Sequence, residues 1–115
     1  MIGVRLHTAR GTMSISESDG ALPPDSRVES DTAILKDRLS PIQNWHDPNP
    51  GAMIRVAVAP CPPFSIRPCL LQDAKMLTRD QVVMMHTHLA ENDEDMAYAN
   101  DSFGCSPANY AADVG

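Results

Sequence analysis

Long apolar runs are missing from this chain of 115 residues. No stretch exceeds four consecutive apolar residues, proline excluded, whereas a membrane-spanning helix requires roughly 20. The first residues also lack a cationic leader followed by an apolar stretch and a small-residue cleavage site. We therefore expect no membrane span, no secretion signal and a cytoplasmic location.

Positive charge is also scarce. Nine lysines and arginines stand against 15 aspartates and glutamates, which gives a formal net charge of −6. An acidic surface repels phosphate backbones, so a nucleic-acid partner is not expected. The 43% of apolar residues nevertheless suffices for a small core, and residues 1–115 have room for one domain.

Cysteines and aromatic residues are few. Cys61, Cys69 and Cys105 are odd in number and widely spaced, with no CxxC pair of the kind that structural zinc sites use. We expect three reduced thiols. Aromatic residues make up only 4% of the chain, and seven methionines supply much of the large apolar volume.

Strand-like and helix-like patterns alternate along the chain. Short β-branched and apolar runs predict strands, and apolar residues at intervals of three and four predict helices. Residues 10–26 show no periodicity and are dense in turn formers, which predicts a long loop. The expected order is a strand over residues 3–8, this loop, a helix from 32, a strand over 54–59, a helix over 68–80, a strand over 82–88 and a helix after 92. This order predicts an α/β fold with parallel strands.

Helix boundaries have specific signals in this sequence. Ser30 or Asp31 can cap the first helix, and Pro68 suits the first turn of the second. Pro41 removes a backbone donor, so we expect the first helix to kink or end there. Asn92, followed by three carboxylates, predicts the cap of the last helix.

The candidate chemistry lies at the end of the third expected strand. Side chains alternate along a strand, so His86 and His88 share one face, and Glu91 follows as the strand gives way to a loop. Parallel strands of α/β folds present reactive groups at their carboxyl ends. An imidazole nitrogen can bind zinc or iron, and a nearby carboxylate can transfer a proton. Two interpretations stay open at this point: a metal site, or strand-end histidines that only form hydrogen bonds.

Four motifs occur in an order that resembles a known family. The sequence resembles the amidohydrolase superfamily, in its branch of guanine deaminases, 8-oxoguanine deaminases and atrazine chlorohydrolases, and within that branch the likeness is to the 8-oxoguanine deaminases and hydroxydechloroatrazine ethylaminohydrolases. The motifs lie at residues 10–14, 18–25, 59–65 and 86–91. The resemblance implies a partial TIM (β/α)8 barrel, comprising the third to fifth β/α units.

The resemblance also implies roles for individual residues. His88 matches the metal ligand on the fifth barrel strand, and Glu91 matches the carboxylate that shuttles protons. His86 would line the same pocket, and Arg10 matches a substrate-binding arginine of a loop. The implied cofactor is one divalent metal, zinc ahead of iron, and the implied substrate is a nitrogen heterocycle such as 8-oxoguanine, guanine or a triazine, which would be deaminated by hydrolysis.

The family pattern also requires segments that this sequence lacks. These are an HxH pair on the first strand, a histidine on the sixth and an aspartate on the eighth, and neither His7 nor His46 matches any of them. Three interpretations follow: part of a metal-dependent deaminase, a catalytically inactive fragment or interaction segment, or a segment completed by another chain, including a second copy of itself.

Overall fold

The computed structural model describes residues 3–21, 23–62 and 64–114. Leu22 and Pro63, which belong to two of the motifs, lie outside the described residues. The two strands and four α-helices follow one another in the order β1, α1, β2, α2, α3 and α4. Their bounds are β1 Leu6–Thr12, α1 Asp31–Trp45, β2 Ile54–Pro60, α2 Pro68–Gln81, α3 Asp93–Phe103 and α4 Pro107–Val114. Two 3-10 helices, Glu17–Asp19 and Asp25–Arg27, lie between β1 and α1.

The sheet pairs β1 with β2 in parallel, as the sequence predicts. The register sets Leu6 opposite Ile54 and Thr12 opposite Pro60. The first strand therefore begins three residues later than the expected 3–8 and extends into the expected loop. Arg10 lies within β1, so its placement in a loop was wrong, because pairing with β2 outweighs the turn-forming residues nearby.

The third expected strand, over residues 82–88, is reduced to one parallel bridge between Val58 and Met85. The Val58 amide donates to the Met84 carbonyl at 2.9 Å, and the His86 amide donates to the Val58 carbonyl at 3.1 Å. The next rung of such a ladder would use the nitrogen of Pro60, which has no hydrogen to donate. The extended segment therefore separates from β2 after His86.

The first helix passes through Pro41 instead of ending there. Ser30 caps it, with its side chain accepting from the Ala33 amide at 3.4 Å. Proline inside a helix removes one hydrogen bond and costs about 3 kcal/mol. Ile34 and Ile42 lie on either side of it and are both buried. Their burial packs the residues before and after Pro41 into the core. This tertiary packing outweighs the loss of one helical hydrogen bond at Pro41.

The helices α1 and α2 cover one face of the sheet. The main core cluster joins Val56 and Val58 of β2 and Val83 of the bridged segment to the helices, through Ile42, Ala74 and Leu77. Since side chains alternate along an extended segment, Ala59 of β2 and Cys61, which directly follows β2, point to the opposite face. His86, three residues after Val83, points there too.

The last helix of the prediction becomes two helices in the structure. Asn92 caps α3, as expected, and the pair Asn92 and Asp95 forms a capping box. The helix α4 was not predicted, because eight residues give little periodicity to detect. No helix among the described residues is long and apolar enough to cross a membrane.

Candidate functional site

His86 and His88 line one cavity of about 440 Å³ at the carboxyl ends of the strands. Gly11, Ala59 and Cys61 form part of the same wall. The structure thus brings the two histidines to one cavity, but Thr87 lines it as well and the segment leaves the sheet after His86, so strand alternation does not account for the arrangement. His7 lines the cavity as well, although the sequence left it isolated, because parallel pairing places β1 alongside β2.

The two histidines are held differently by the backbone. The His86 amide donates to Val58 in the bridge described above. His88 lies beyond that bridge, and its carbonyl accepts from the Thr87 hydroxyl at 3.0 Å. His86 is therefore anchored to the sheet, whereas His88 belongs to the loop that leads towards α3.

Glu91 and His88 line a second cavity, of about 330 Å³. His88 lines both this cavity and the cavity of His86, as do Cys61 and Pro62. The Glu91 amide donates to the Asp95 carboxylate at 2.8 Å, and Asp95 is almost fully buried. Glu91 thus lines a cavity with His88 but not the cavity that His86 and His88 share, and the capping box of α3 positions the Glu91 backbone.

The donors at these cavities suit a divalent metal only as part of a ligand set. Imidazole nitrogen and carboxylate oxygen are zinc ligands, and tetrahedral sites use three or four protein ligands. Within residues 3–21, 23–62 and 64–114, no three histidine, cysteine, aspartate or glutamate side chains are grouped closely enough to hold a metal ion. The chemistry of His86, His88 and Glu91 fits zinc, and further ligands are required to complete a site.

Arg10 lies away from the histidines. Its guanidinium forms ion pairs with Glu29, at 2.5 Å, and with Asp37, at 3.4 Å. The hydrogen bond to Glu29 is the main cause that raises the pKa of Arg10 above its ordinary value. Arg10 lines a third cavity, of about 510 Å³, and lines neither the His86 cavity nor the Glu91 cavity.

Two further residues reach the candidate site without having been singled out in the sequence. Cys61 lines all three of these cavities, and burial raises the pKa of its thiol. Its position was accessible to sequence reasoning, since alternation along β2 places it on the face of His86. Arg27 lines both the Arg10 cavity and the Glu91 cavity. No periodicity predicts its position, because it depends on how the loop folds.

Comparison with known sequences gives related hydrolases. No protein-family model matches the sequence. The chain is 35% identical over 114 residues to 8-oxoguanine deaminase from Pseudomonas aeruginosa, covering 99% of this chain and 25% of that protein. It is 36% identical over 93 residues to hydroxydechloroatrazine ethylaminohydrolase from Pseudomonas sp. strain ADP, covering 81% of this chain and 19% of that protein.

Comparison with solved structures gives the same kind of enzyme. Atrazine chlorohydrolase TrzN from Arthrobacter aurescens TC1, solved in complex with zinc, matches with a TM-score of 0.91 and 29% identity over 99% of this chain. A mutant of the same enzyme, solved with zinc and atraton, matches with the same TM-score at 28% identity. The chain spans about a quarter of the length of the relatives that match over almost all of it.

Proposed function

This chain belongs to the amidohydrolase superfamily, in its branch of deaminases and triazine hydrolases. We infer that it forms the part of a zinc-dependent hydrolase site that transfers protons. The proposed reaction is hydrolytic deamination of a purine-like or triazine ring, with release of ammonia. The observation that supports it most is that His88 lines both the histidine cavity and the cavity of Glu91.

The architecture proposed for the site is part of a TIM barrel. We assign β1, β2 and the bridged segment around Met85 to the third, fourth and fifth barrel strands. Their parallel arrangement, with α1 and α2 packed on one face, suits this assignment. The opposite face, where the histidines lie, would then be the barrel interior.

Each proposed role follows from the chemistry of the side chain. His88 would hold the metal through a ring nitrogen, and His86 would line the substrate pocket beside it. Zinc, when bound, supplies a positive centre that makes a nearby water molecule more acidic. Glu91 would accept a proton from the attacking water and deliver it to the departing nitrogen, as a general base and then a general acid.

We also propose Arg10 as a substrate-binding residue. Its guanidinium suits a planar ring oxygen. In the described conformation, however, the same guanidinium binds Glu29 and Asp37. A role at the ring would require Arg10 to exchange these partners.

The second candidate is a non-catalytic segment, and one observation favours it. The described residues contain no group of three metal-binding side chains. A catalytic zinc site needs three protein ligands besides the water that it activates, and His88 alone cannot supply them. We therefore expect this polypeptide alone to release no ammonia, and we expect activity only when another polypeptide supplies the missing ligands.

A complementation experiment tests the proposed function. The chain is co-expressed with the three quarters of Pseudomonas aeruginosa 8-oxoguanine deaminase that it does not align with, and the purified assembly is assayed for zinc and for ammonia release from 8-oxoguanine. The matching quarter of that deaminase serves as the positive control. We expect zinc retention and ammonia release from the assembly that contains this chain and from the assembly that contains the matching quarter of the deaminase.

Variants assign the activity to the proposed residues. His88→Ala should abolish zinc retention, and Glu91→Gln should retain zinc but lower turnover by about 100-fold or more. Glu17→Gln, in the first 3-10 helix, is the matched control and should change neither. If the positive control is active and this chain yields neither zinc nor ammonia, the non-catalytic interpretation stands instead.

A further inference from the structure

Arg27 lies where the cavity of Glu91 and the cavity of Arg10 meet, and it lines both of them. Among the described residues that line the Glu91 cavity, Arg27 is the only arginine or lysine. Its side chain is exposed and takes part in no salt bridge within the described part of the chain. Its hydrogen-bond donors are therefore free to bind a ligand.

The backbone around Arg27 is well fixed for an exposed segment. Arg27 ends the 3-10 helix Asp25–Arg27, and its amide donates to the Pro24 carbonyl at 2.9 Å. The Asp25 carboxylate accepts from the Ser18 amide at 3.2 Å, which ties this helix to the preceding one. These bonds keep the base of the Arg27 side chain at the rim of the cavity.

The charges of the cavity restrict what Arg27 can bind. Glu91, Glu94 and Asp95 line the same cavity, so carboxylates outnumber the single guanidinium. Such a surface disfavours an anionic ligand, because the carboxylates would repel it. A neutral ring with a carbonyl oxygen suits it better, since a guanidinium donates strongly to a carbonyl and the carboxylates can accept from ring N–H groups.

We propose that Arg27 determines substrate specificity at this site by donating a hydrogen bond to a carbonyl oxygen of a neutral heterocycle. This inference rests on the proposed function, since it takes the Glu91 cavity as the part of the substrate pocket that adjoins the His86 cavity at His88. It assigns to Arg27 the contact with the ring carbonyl, because both Nη atoms of Arg10 already donate to Gly11, Glu29 and Asp37. Rings without a carbonyl would gain nothing from Arg27.

Binding of two rings to the full chain tests this assignment. The ¹⁵N-labelled chain, in its zinc-loaded assembly with the complementing deaminase polypeptide, is titrated with 8-oxoguanine, which has carbonyl oxygens, and separately with atraton, a methoxytriazine without one. Resonances of the Arg27 guanidinium, His88 and Glu91 are followed by NMR. Arg27→Met is the test variant, and Arg79→Met is the matched control, since Arg79 lies in the last turn of α2 and lines neither cavity.

We expect Arg27→Met to weaken 8-oxoguanine binding by about tenfold or more, as loss of a charged hydrogen bond does, and to leave atraton binding unchanged. Arg79→Met should leave both unchanged. Equal loss for both rings, or no loss for 8-oxoguanine while His88 and Glu91 still respond, would overturn the role of Arg27 and leave the proposed function standing. If neither ring perturbs His88 or Glu91 in the wild-type assembly, the substrate pocket itself is refuted, and the proposed function with it.

Discussion

The Asp95 carboxylate accepts a hydrogen bond from the Glu91 amide at 2.8 Å. The same oxygen accepts from the Asn92 amide at 3.3 Å, and the Asn92 side chain accepts from the Asp95 amide at 2.9 Å. This reciprocal arrangement begins α3 and at the same time fixes the backbone of the proposed proton carrier. The stability of the helix and the position of Glu91 are therefore linked through Asp95.

Removal of Asp95 should destabilise the protein measurably. Asp95→Ala leaves the Glu91 and Asn92 amides without their acceptor, so we expect a loss of about 1–2 kcal/mol in the free energy of unfolding. Asp101→Ala, at an exposed position of the same helix, is the control and should cost less than about 0.5 kcal/mol. Urea denaturation followed by circular dichroism measures both, and equal effects would contradict the role of the capping box.

The bridge between Val58 and Met85 should be visible in amide exchange. The His86 amide donates to the Val58 carbonyl, whereas the neighbouring His88 lies beyond the last bond to β2. We expect the His86 amide to exchange with deuterium at least about tenfold more slowly than the His88 amide, after correction for intrinsic rates. NMR exchange experiments test this, and equal rates would show that the bridge does not persist in solution.

The cysteines should differ in reactivity. Burial raises the pKa of the Cys61 thiol above its ordinary value, whereas Cys69 is exposed. Since the thiolate is the reactive form, a raised pKa lowers its population at pH 8, and the alkylation rate should rise as the pH increases towards that pKa. We expect iodoacetamide to modify Cys69 about tenfold faster than Cys61 at pH 8, as measured by mass spectrometry. In urea the two rates should converge, and similar rates in the folded protein would refute the burial of Cys61.

The buried arginine Arg38 gives a prediction about packing. Its guanidinium donates to the Leu70 carbonyl at 3.1 Å and to the Thr12 hydroxyl, and burial lowers its pKa. Arg38→Ala should cost about 3 kcal/mol, because it leaves a cavity and two acceptors without donors. Arg38→Met should cost less than Arg38→Ala, since it fills the space and removes a charge that has no ion-pair partner among the described residues.

The two Arg38 variants are compared by urea denaturation at neutral pH. Equal destabilisation by methionine and alanine would show that the hydrogen bonds of the guanidinium, and not its volume, dominate at this position.

Much of the fold follows from local patterns in the sequence. Apolar runs and turn formers predicted β2 and α2 to within one residue of their ends. Ser30 and Asn92 were recognised as caps because a capping side chain accepts a hydrogen bond from an amide only three residues later. This signal is therefore contained in a short stretch of sequence. The failures arose where long-range pairing or packing opposes local preference, as at Arg10 in β1 and at Pro41 in α1.

The candidate site was predictable only in part, because some of it depends on neighbouring residues and some on distant ones. His86 and His88 line one cavity as expected, because they are close in sequence, although Thr87 lines it too and the alternation of a strand does not continue past His86. The third strand failed because its extent depends on Pro60, which lies 25 residues before Met85 and cannot donate a ladder bond. The sequence pattern within residues 82–88 contains no information about Pro60.

The sequence by itself determined the α/β order of elements, the helix caps and the presence of His86, His88 and Glu91 in one short segment, because these follow from local periodicity and side-chain chemistry. Only the tertiary structure decided that Arg10 binds Glu29 and Asp37 while Arg27 enters the cavity of Glu91. The physical reason is that an arginine's partners are set by the folded path of the loop and by charges distant in sequence, and no local pattern specifies either.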